Sequence, residues 1–196
     1  MRCARASRSS RAVSAQSAKD GLVIRVDQKG KADVVARNIL FARGVCFDAE
    51  EKHLYVVQGL AGTVLRYPRR RDGTLEQPKP YGPQVGILPQ TLPTPETLAQ
   101  MSARERGRIG IGDGCAFDAE GNLWVALVYA NRIVAITPNH SVSVVINDPE
   151  GRLVNMPTNL IFGGPDLRDL YIAMAGTDYI LKGRSPVPGL PLAHQR

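Results

Sequence analysis

An internal repeat limits the folds open to this chain more than any other feature of the sequence. The stretch CFDAEEKHLYVVQ, residues 46–58, has a near copy in CAFDAEGNLWVAL, residues 115–127, and a more distant copy begins at Thr158. Each copy contains a short apolar run, a polar turn, a second apolar run and then a third. In the first two copies the aromatic residue of the second run, Tyr55 or Trp124, lies twelve residues before the end of the third run. Copies that share one internal spacing predict stacked units of the same structure.

The apolar runs have the length and composition of β-strands. They are rich in Val, Ile, Leu, Tyr and Phe and are separated by turn signals such as residues 120–122, which favours an antiparallel meander. A fourth strand follows the second copy in a hairpin that turns at residues 138–140, and another hairpin, turning at residues 28–30, opens the fold. Units of about 40 to 45 residues with four strands are typical of β-propeller blades, whereas a β-sandwich leaves the copies unexplained. The sequence therefore predicts an all-β fold, an incomplete β-propeller of about three and a half four-stranded blades.

Positive charge is concentrated at the start of the chain. The formal net charge is +7, but the residues before Asp20 include five basic side chains and no acid, so the remaining 177 residues carry only +2. Residues 1–20 are therefore predicted to be a disordered basic leader, with an organelle-type targeting signal as the alternative. A nearly neutral folded part argues against a nucleic-acid-binding surface. The longest apolar run, residues 123–130, is far shorter than the roughly 20 residues of a membrane-spanning helix, so we expect neither nucleic acid nor membrane as a partner.

The rest of the chain, residues 21–196, is predicted to be the partial propeller with one insertion. Between the first two copies, at about residues 83–112, we expect a Pro-rich loop and a short helix. Thr94 is the predicted N-cap of this helix, which runs from Pro95 to about Arg104. An incomplete ring exposes unpaired strand edges, and self-association through these open sheet edges is therefore expected.

The cysteines and the end of the chain complete the predicted organisation. Cys3, Cys46 and Cys115 are odd in number and lack the spacing of a metal site, and the last two lie in apolar runs. They are predicted to be reduced thiols, the last two buried, which suits a cytoplasmic protein. The Pro-rich end, residues 185–196, is predicted to be an extended strap over the blade surface.

Two stretches of the repeat resemble a known family. GDGCAFDAEGNLWVALVYANRIVAITP, from Gly112, and PTNLIFGGPDLRDLYIA, from Pro157, are similar to the later blades of the SMP-30/gluconolactonase/regucalcin-like family, six-bladed propellers that hydrolyse sugar lactones. The likeness covers roughly residues 21 to 182. The first copy also resembles strictosidine synthase-like propellers. The resemblance implies a metal-dependent sugar-lactone hydrolase, truncated or with an impaired metal site; the alternatives are a non-catalytic propeller fragment, a binding scaffold or a strictosidine synthase-like propeller.

The same resemblance implies a site at the top of the central channel. In this family a divalent cation, often calcium or zinc, is held there by an Asp at the start of an inner strand, among other ligands, and Asp113 matches that Asp. Asp113 is therefore expected to bind the cation and to accept a proton from the water that attacks a lactone or ester carbonyl. Arg43 replaces the family's Asn; its charge opposes a cation, and it is able to pair with Asp113 instead. Thr158 and Asn159 are weaker candidates for facing the channel and the small-molecule substrate, and the alternative for both is a turn role in which they satisfy backbone groups.

Overall fold

The computed structural model describes residues 20–87 and 93–192, which form thirteen β-strands and two short α-helices. The strands are β1 (Gly21–Val26), β2 (Ala32–Ile39), β3 (Ala42–Phe47), β4 (His53–Gln58), β5 (Thr63–Pro68), β6 (Lys79–Tyr81), β7 (Gly112–Phe117), β8 (Leu123–Leu127), β9 (Arg132–Ile136), β10 (Val142–Asn147), β11 (Pro157–Gly163), β12 (Asp169–Met174) and β13 (Leu181–Arg184). The helices are α1 (Pro95–Gln100) and α2 (Ala103–Arg106). Within these ranges, neither helix is long and apolar enough to cross a bilayer. The predicted leader, apart from Asp20, lies outside the described residues.

The strands form four antiparallel sheets, each built from consecutive strands. The opening sheet pairs β1 with β2; blade 1 has the order β3-β4-β5-β6, blade 2 the order β7-β8-β9-β10, and blade 3 the order β11-β12-β13. Each predicted copy of the repeat supplies the first three strands of one blade. The all-β, incomplete β-propeller predicted from the sequence is therefore confirmed.

The first strand of each blade is its inner strand. The β7 strand lies beside β3 on one side and beside β11 on the other, without backbone pairing between these three strands. Glycine makes the close approach feasible, because a Cβ atom built on Gly44 of β3 would lie 2.5 Å from the carbonyl oxygen of Asp113. A Cβ on Gly114 of β7 would lie 2.6 Å from the Cα of Asn159. Real Cβ atoms do not tolerate such contacts, so these glycines set the spacing of the inner strands.

Aromatic side chains join each blade to the next. Tyr55 of blade 1 meets Phe117 of blade 2 edge-to-face, with ring centroids 4.8 Å apart, and Trp124 of blade 2 meets Phe162 of blade 3 at 5.1 Å. Both pairs occupy equivalent columns of the repeat, and all four rings are buried. Such pairs contribute about 0.5–1.5 kcal/mol beyond the area that they bury. The repeat in the sequence is therefore also a repeat in the packing between blades.

In blades 1 and 2 the turn after the inner strand is held by a repeated aspartate. Asp118, with 1% of its surface exposed, accepts hydrogen bonds from the backbone N–H groups of Glu120 and Asn122, from the Asn122 side chain and from the Trp124 indole. Asp48 has the corresponding position in blade 1, where it accepts the backbone N–H of Lys52. The recurrence of this acid in the sequence thus reflects turn formation.

The inserted segment and the chain end follow the predictions with one difference. Thr94 caps α1 as expected, but the helix ends at Gln100 because Met101 is extended. Ser102 and Glu105 then form a capping box that starts α2, so two helices replace the predicted one. At the chain end, backbone hydrogen bonds from residues 188–190 reach residues 117 and 119, which shows a strap across to blade 2. The division of the chain at residue 20, the bounds of the insertion and the self-association through open edges stay predictions.

Candidate functional site

The candidate site is an ion pair between two adjacent inner strands. Arg43 lies near the start of β3 and Asp113 near the start of β7, and each directly precedes one of the glycines that bring the strands together. Nη2 of Arg43 donates to Oδ2 of Asp113 over 2.9 Å. The Arg43 side chain is 30% exposed and that of Asp113 is 13% exposed. The Arg43–Asp113 ion pair that the sequence suggested is therefore present. It holds the Asp113 carboxylate near the starts of β3 and β7.

Phe41 also contacts the Arg43 guanidinium. The Cζ atom of Arg43 lies 4.6 Å from the centroid of the Phe41 ring, which is a cation–π distance. Phe41 itself has a φ of 58°, a left-handed conformation that costs a bulky side chain about 1–3 kcal/mol. The sequence carried no signal for this residue, because it lies in the short turn before β3 and outside the repeat columns.

The two weaker candidates lie at the start of β11, beside the Asp113 strand. The hydroxyl of Thr158 donates to the carbonyl oxygen of Ala173 over 3.2 Å, and Oδ1 of Asn159 accepts the backbone N–H of Leu160 over 2.9 Å. The structure therefore places both residues on the expected strand, with backbone groups as partners. The Asn159 side chain also packs over Gly114, which brings it to the same end of the inner strands as the ion pair.

The arrangement does not fit the divalent cation that the resemblance implies. Between residues 20 and 192, leaving out the undescribed 88–92, no group of three or more His, Cys, Asp or Glu side chains is arranged to hold a metal ion. The one expected ligand, Asp113, faces a guanidinium that has no lone pair to give. At about 4 Å a guanidinium and a divalent cation repel by roughly 8 kcal/mol at an effective permittivity of about 20. Arg43 thus places a positive charge, and no lone pair, where the resemblance implies a ligand.

A cavity opens at the end of blade 2 where the inner strands begin, the end that also carries the ion pair. Its volume is ≈ 370 Å³, within the range of small-molecule sites. It is lined by Pro93, Leu98, Ala99, Arg106, Tyr129 and Met156. The turn that carries Tyr129 follows β8, whose last residue pairs with Gly112 at the start of β7, and Met156 directly precedes β11. The inserted α1 thus covers a space next to the starts of two inner strands, although the ion pair itself is not part of the cavity lining.

Comparison with known proteins agrees with this fold. A 6-deoxy-6-sulfogluconolactonase of Pseudomonas putida is 29% identical over 152 residues, which cover 78% of this chain and 44% of that protein. A gluconolactonase of Xanthomonas campestris of solved structure superposes with a TM-score of 0.58 at 18% identity, covering 88% of this chain and 46% of the other. A calcium-binding regucalcin of Agrobacterium tumefaciens gives a TM-score of 0.55 at 19% identity, covering 86% and 55%.

The chain spans about half the length of these relatives, and the solved structures show the fold alone. The family model described as the SMP-30/Gluconolactonase/LRE-like region matches residues 7–176, which include the opening sheet, blades 1 and 2 and most of blade 3. The repeat and the sheet order both agree with that match. The chain belongs to the SMP-30/Gluconolactonase/LRE-like family.

Proposed function

We propose that this chain hydrolyses small sugar lactones, with Asp113 as the proton acceptor and Arg43 as the group that binds the carbonyl oxygen. The observation that carries the proposal is the ion pair of these two residues on adjacent inner strands of a gluconolactonase-family fold. The names of two relatives, a 6-deoxy-6-sulfogluconolactonase and a gluconolactonase, support sugar lactones as the substrate class. The cavity under α1 has room for a ligand of monosaccharide size at the same end of blade 2, although neither Arg43 nor Asp113 lines it.

The chemistry needs one base and one cationic donor. A water molecule attacks the lactone carbonyl carbon while the carboxylate of Asp113 takes one of its protons, and negative charge develops on the carbonyl oxygen. The Arg43 guanidinium stabilises that oxygen, a contribution of the kind that oxyanion donors make. The tetrahedral intermediate then collapses, the bond to the ring oxygen breaks, and the proton returns to that oxygen. The product is the open-chain hydroxy acid.

No step of this proposal is assigned to a divalent cation. The solved regucalcin is described as calcium-binding, and the resemblance implied calcium or zinc here, but Arg43 lies where a ligand would be needed. In this chain the guanidinium supplies the positive charge that a Lewis acid supplies elsewhere. We therefore expect hydrolysis to survive chelation.

The test is hydrolysis of glucono-1,5-lactone by the full chain. The rate is measured from the release of acid, with and without EDTA. Wild type should exceed the buffer rate in both conditions. Asp113→Asn keeps the size of the side chain and removes the base, so the rate should fall by about 10²–10⁴-fold. Glu120→Gln, in an exposed turn, is the matched control and should leave the rate unchanged. A wild-type rate equal to that of buffer, or an unchanged rate in Asp113→Asn, would refute the proposal.

A second candidate is a non-catalytic scaffold that binds sugar acids. The observation in its favour is that Arg43 is held by both Asp113 and Phe41, an arrangement that stabilises the two charges without any reaction. Calorimetry with gluconate separates the two candidates. Gluconate binding that Arg43→Gln abolishes, in a wild-type chain without lactone turnover, would establish the scaffold.

A further inference from the structure

Two cysteine thiols face each other between the inner strands of blades 1 and 2. Cys46 of β3 and Cys115 of β7 are 69 positions apart in the chain, and their Sγ atoms are 3.5 Å apart. Both are free thiols; Cys115 is buried and Cys46 is half-buried. Neither thiol takes part in the hydrolysis proposed above.

We propose that Cys46 and Cys115 form an oxidisable dithiol, and that a peroxide converts it into a disulfide that joins blade 1 to blade 2. One sulfur attacks hydrogen peroxide and becomes a sulfenic acid as water leaves. The second sulfur attacks the first, the S–S bond forms and a second water leaves. Two thiols and one hydrogen peroxide thus give one disulfide and two waters, so the thiols lose two electrons and the peroxide gains them.

The geometry requires only a small movement. A disulfide has an S–S length of about 2.05 Å, so the two Sγ atoms must approach by about 1.5 Å. The β3 and β7 strands belong to different sheets, and their approach therefore breaks no ladder of backbone hydrogen bonds. They already touch at Gly44, where an added Cβ would lie 3.0 Å from Sγ of Cys115. Rotation of the two cysteine side chains, together with a small shift of the inner strands, is able to bring the Sγ atoms to bonding distance.

The surroundings make this a slow modification. The hydrogen bond with Cys115 and, to a smaller extent, burial raise the pKa of the Cys46 thiol well above its ordinary value. Because the thiolate is the attacking form, little of the reactive species exists at neutral pH. We therefore expect the disulfide to form slowly.

The position of the dithiol gives the bond a structural consequence. Cys46 lies three residues after Arg43, and Cys115 lies two residues after Asp113, on the same two strands. A covalent link between them fixes the spacing of the strands that carry the ion pair. The proposal stands independently of lactone hydrolysis, since it rests on the two thiols alone.

The test is a peptide map of the full chain after exposure to hydrogen peroxide and alkylation. Trypsin should release residues 44–52 linked to residues 109–132 under non-reducing conditions, and a reductant should separate the two peptides. Cys46→Ser and Cys115→Ser should each lose the linked peptide. Cys3→Ser is the matched control and should retain it, although Cys3 lies outside the described residues.

Repeating the oxidation in urea tests whether the fold brings the thiols together. Among oxidised Cys46, the fraction linked to Cys115 should be at least about tenfold lower in urea, because the two thiols then meet only by chain diffusion. Separate sulfinic acids at Cys46 and Cys115, a link to Cys3 instead, or an equal linked fraction in both conditions would each overturn the proposal. The wild-type map suffices for this decision even if a serine variant fails to fold.

Discussion

The contribution of the Arg43–Asp113 pair to stability is measurable by a double-mutant cycle of Arg43→Gln, Asp113→Asn and the double variant. Opposite unit charges 2.9 Å apart attract by about 1.4 kcal/mol at the permittivity of water and by about 6 kcal/mol at an effective value of about 20. Both side chains are largely covered, so the interaction lies between these limits before desolvation and side-chain entropy are subtracted. We expect a net coupling of about 2 kcal/mol, typical of a hydrogen bond between charged groups.

Urea unfolding of wild type, the two single variants and the double variant, monitored by circular dichroism, gives the free energies of unfolding for the cycle. The loss of the Phe41 contact affects Arg43→Gln and the double variant alike, so it cancels from the coupling. Raising the salt concentration should weaken the coupling only in part, because the pair is sheltered from solvent. A coupling below about 0.5 kcal/mol would refute the expected coupling and show that the pair adds little to the stability of the fold.

Two further predictions concern the turns and the outer part of the fold. Asp118→Asn places an amide donor among four hydrogen-bond donors, and urea unfolding should show a loss of about 2–4 kcal/mol; a loss below about 1 kcal/mol would contradict the hydrogen-bond assignment. Hydrogen bonds from the Arg184 side chain, the larger cause, and from the backbone N–H of Arg168 lower the pKa of Asp166 from 3.8 to about 2. This carboxylate therefore contributes stability that is present above about pH 4 and lost as pH falls towards 2. Arg184→Gln should flatten the stability profile between these pH values, and an unchanged acid limb would show that the pair is not formed.

The fold was predictable because the repeat is a property of packing as well as of sequence. Asp48 and Asp118 recur because blades 1 and 2 use the same turn, and the spacing of the apolar runs follows from strands of similar length. The break between α1 and α2 was visible in principle, because Ser102 and Glu105 have the spacing of a capping box. The prediction of a single helix was wrong because α1 ends at Gln100 and Ser102 caps a second helix.

The site was predictable only where the repeat columns align. Arg43 and Asp113 both precede a glycine in the same column, so adjacent inner strands bring them together. The thiols are different, because Cys46 directly precedes its phenylalanine whereas Cys115 lies two residues before the equivalent one. Their meeting depends on the lateral stagger of two strands that share no hydrogen bonds, and local sequence patterns carry no information about that stagger.

The aromatic contacts between blades have a consequence for how unfolding is observed. Trp124 is the sole tryptophan of the sequence, and its ring is shared between its own blade and Phe162 of the following one. Its fluorescence therefore reports on the separation of blades 2 and 3 as well as on the unfolding of its own blade. The Tyr55–Phe117 contact repeats that arrangement at the preceding boundary, so we expect separation at one boundary to accompany separation at the other, and the tryptophan emission to follow both.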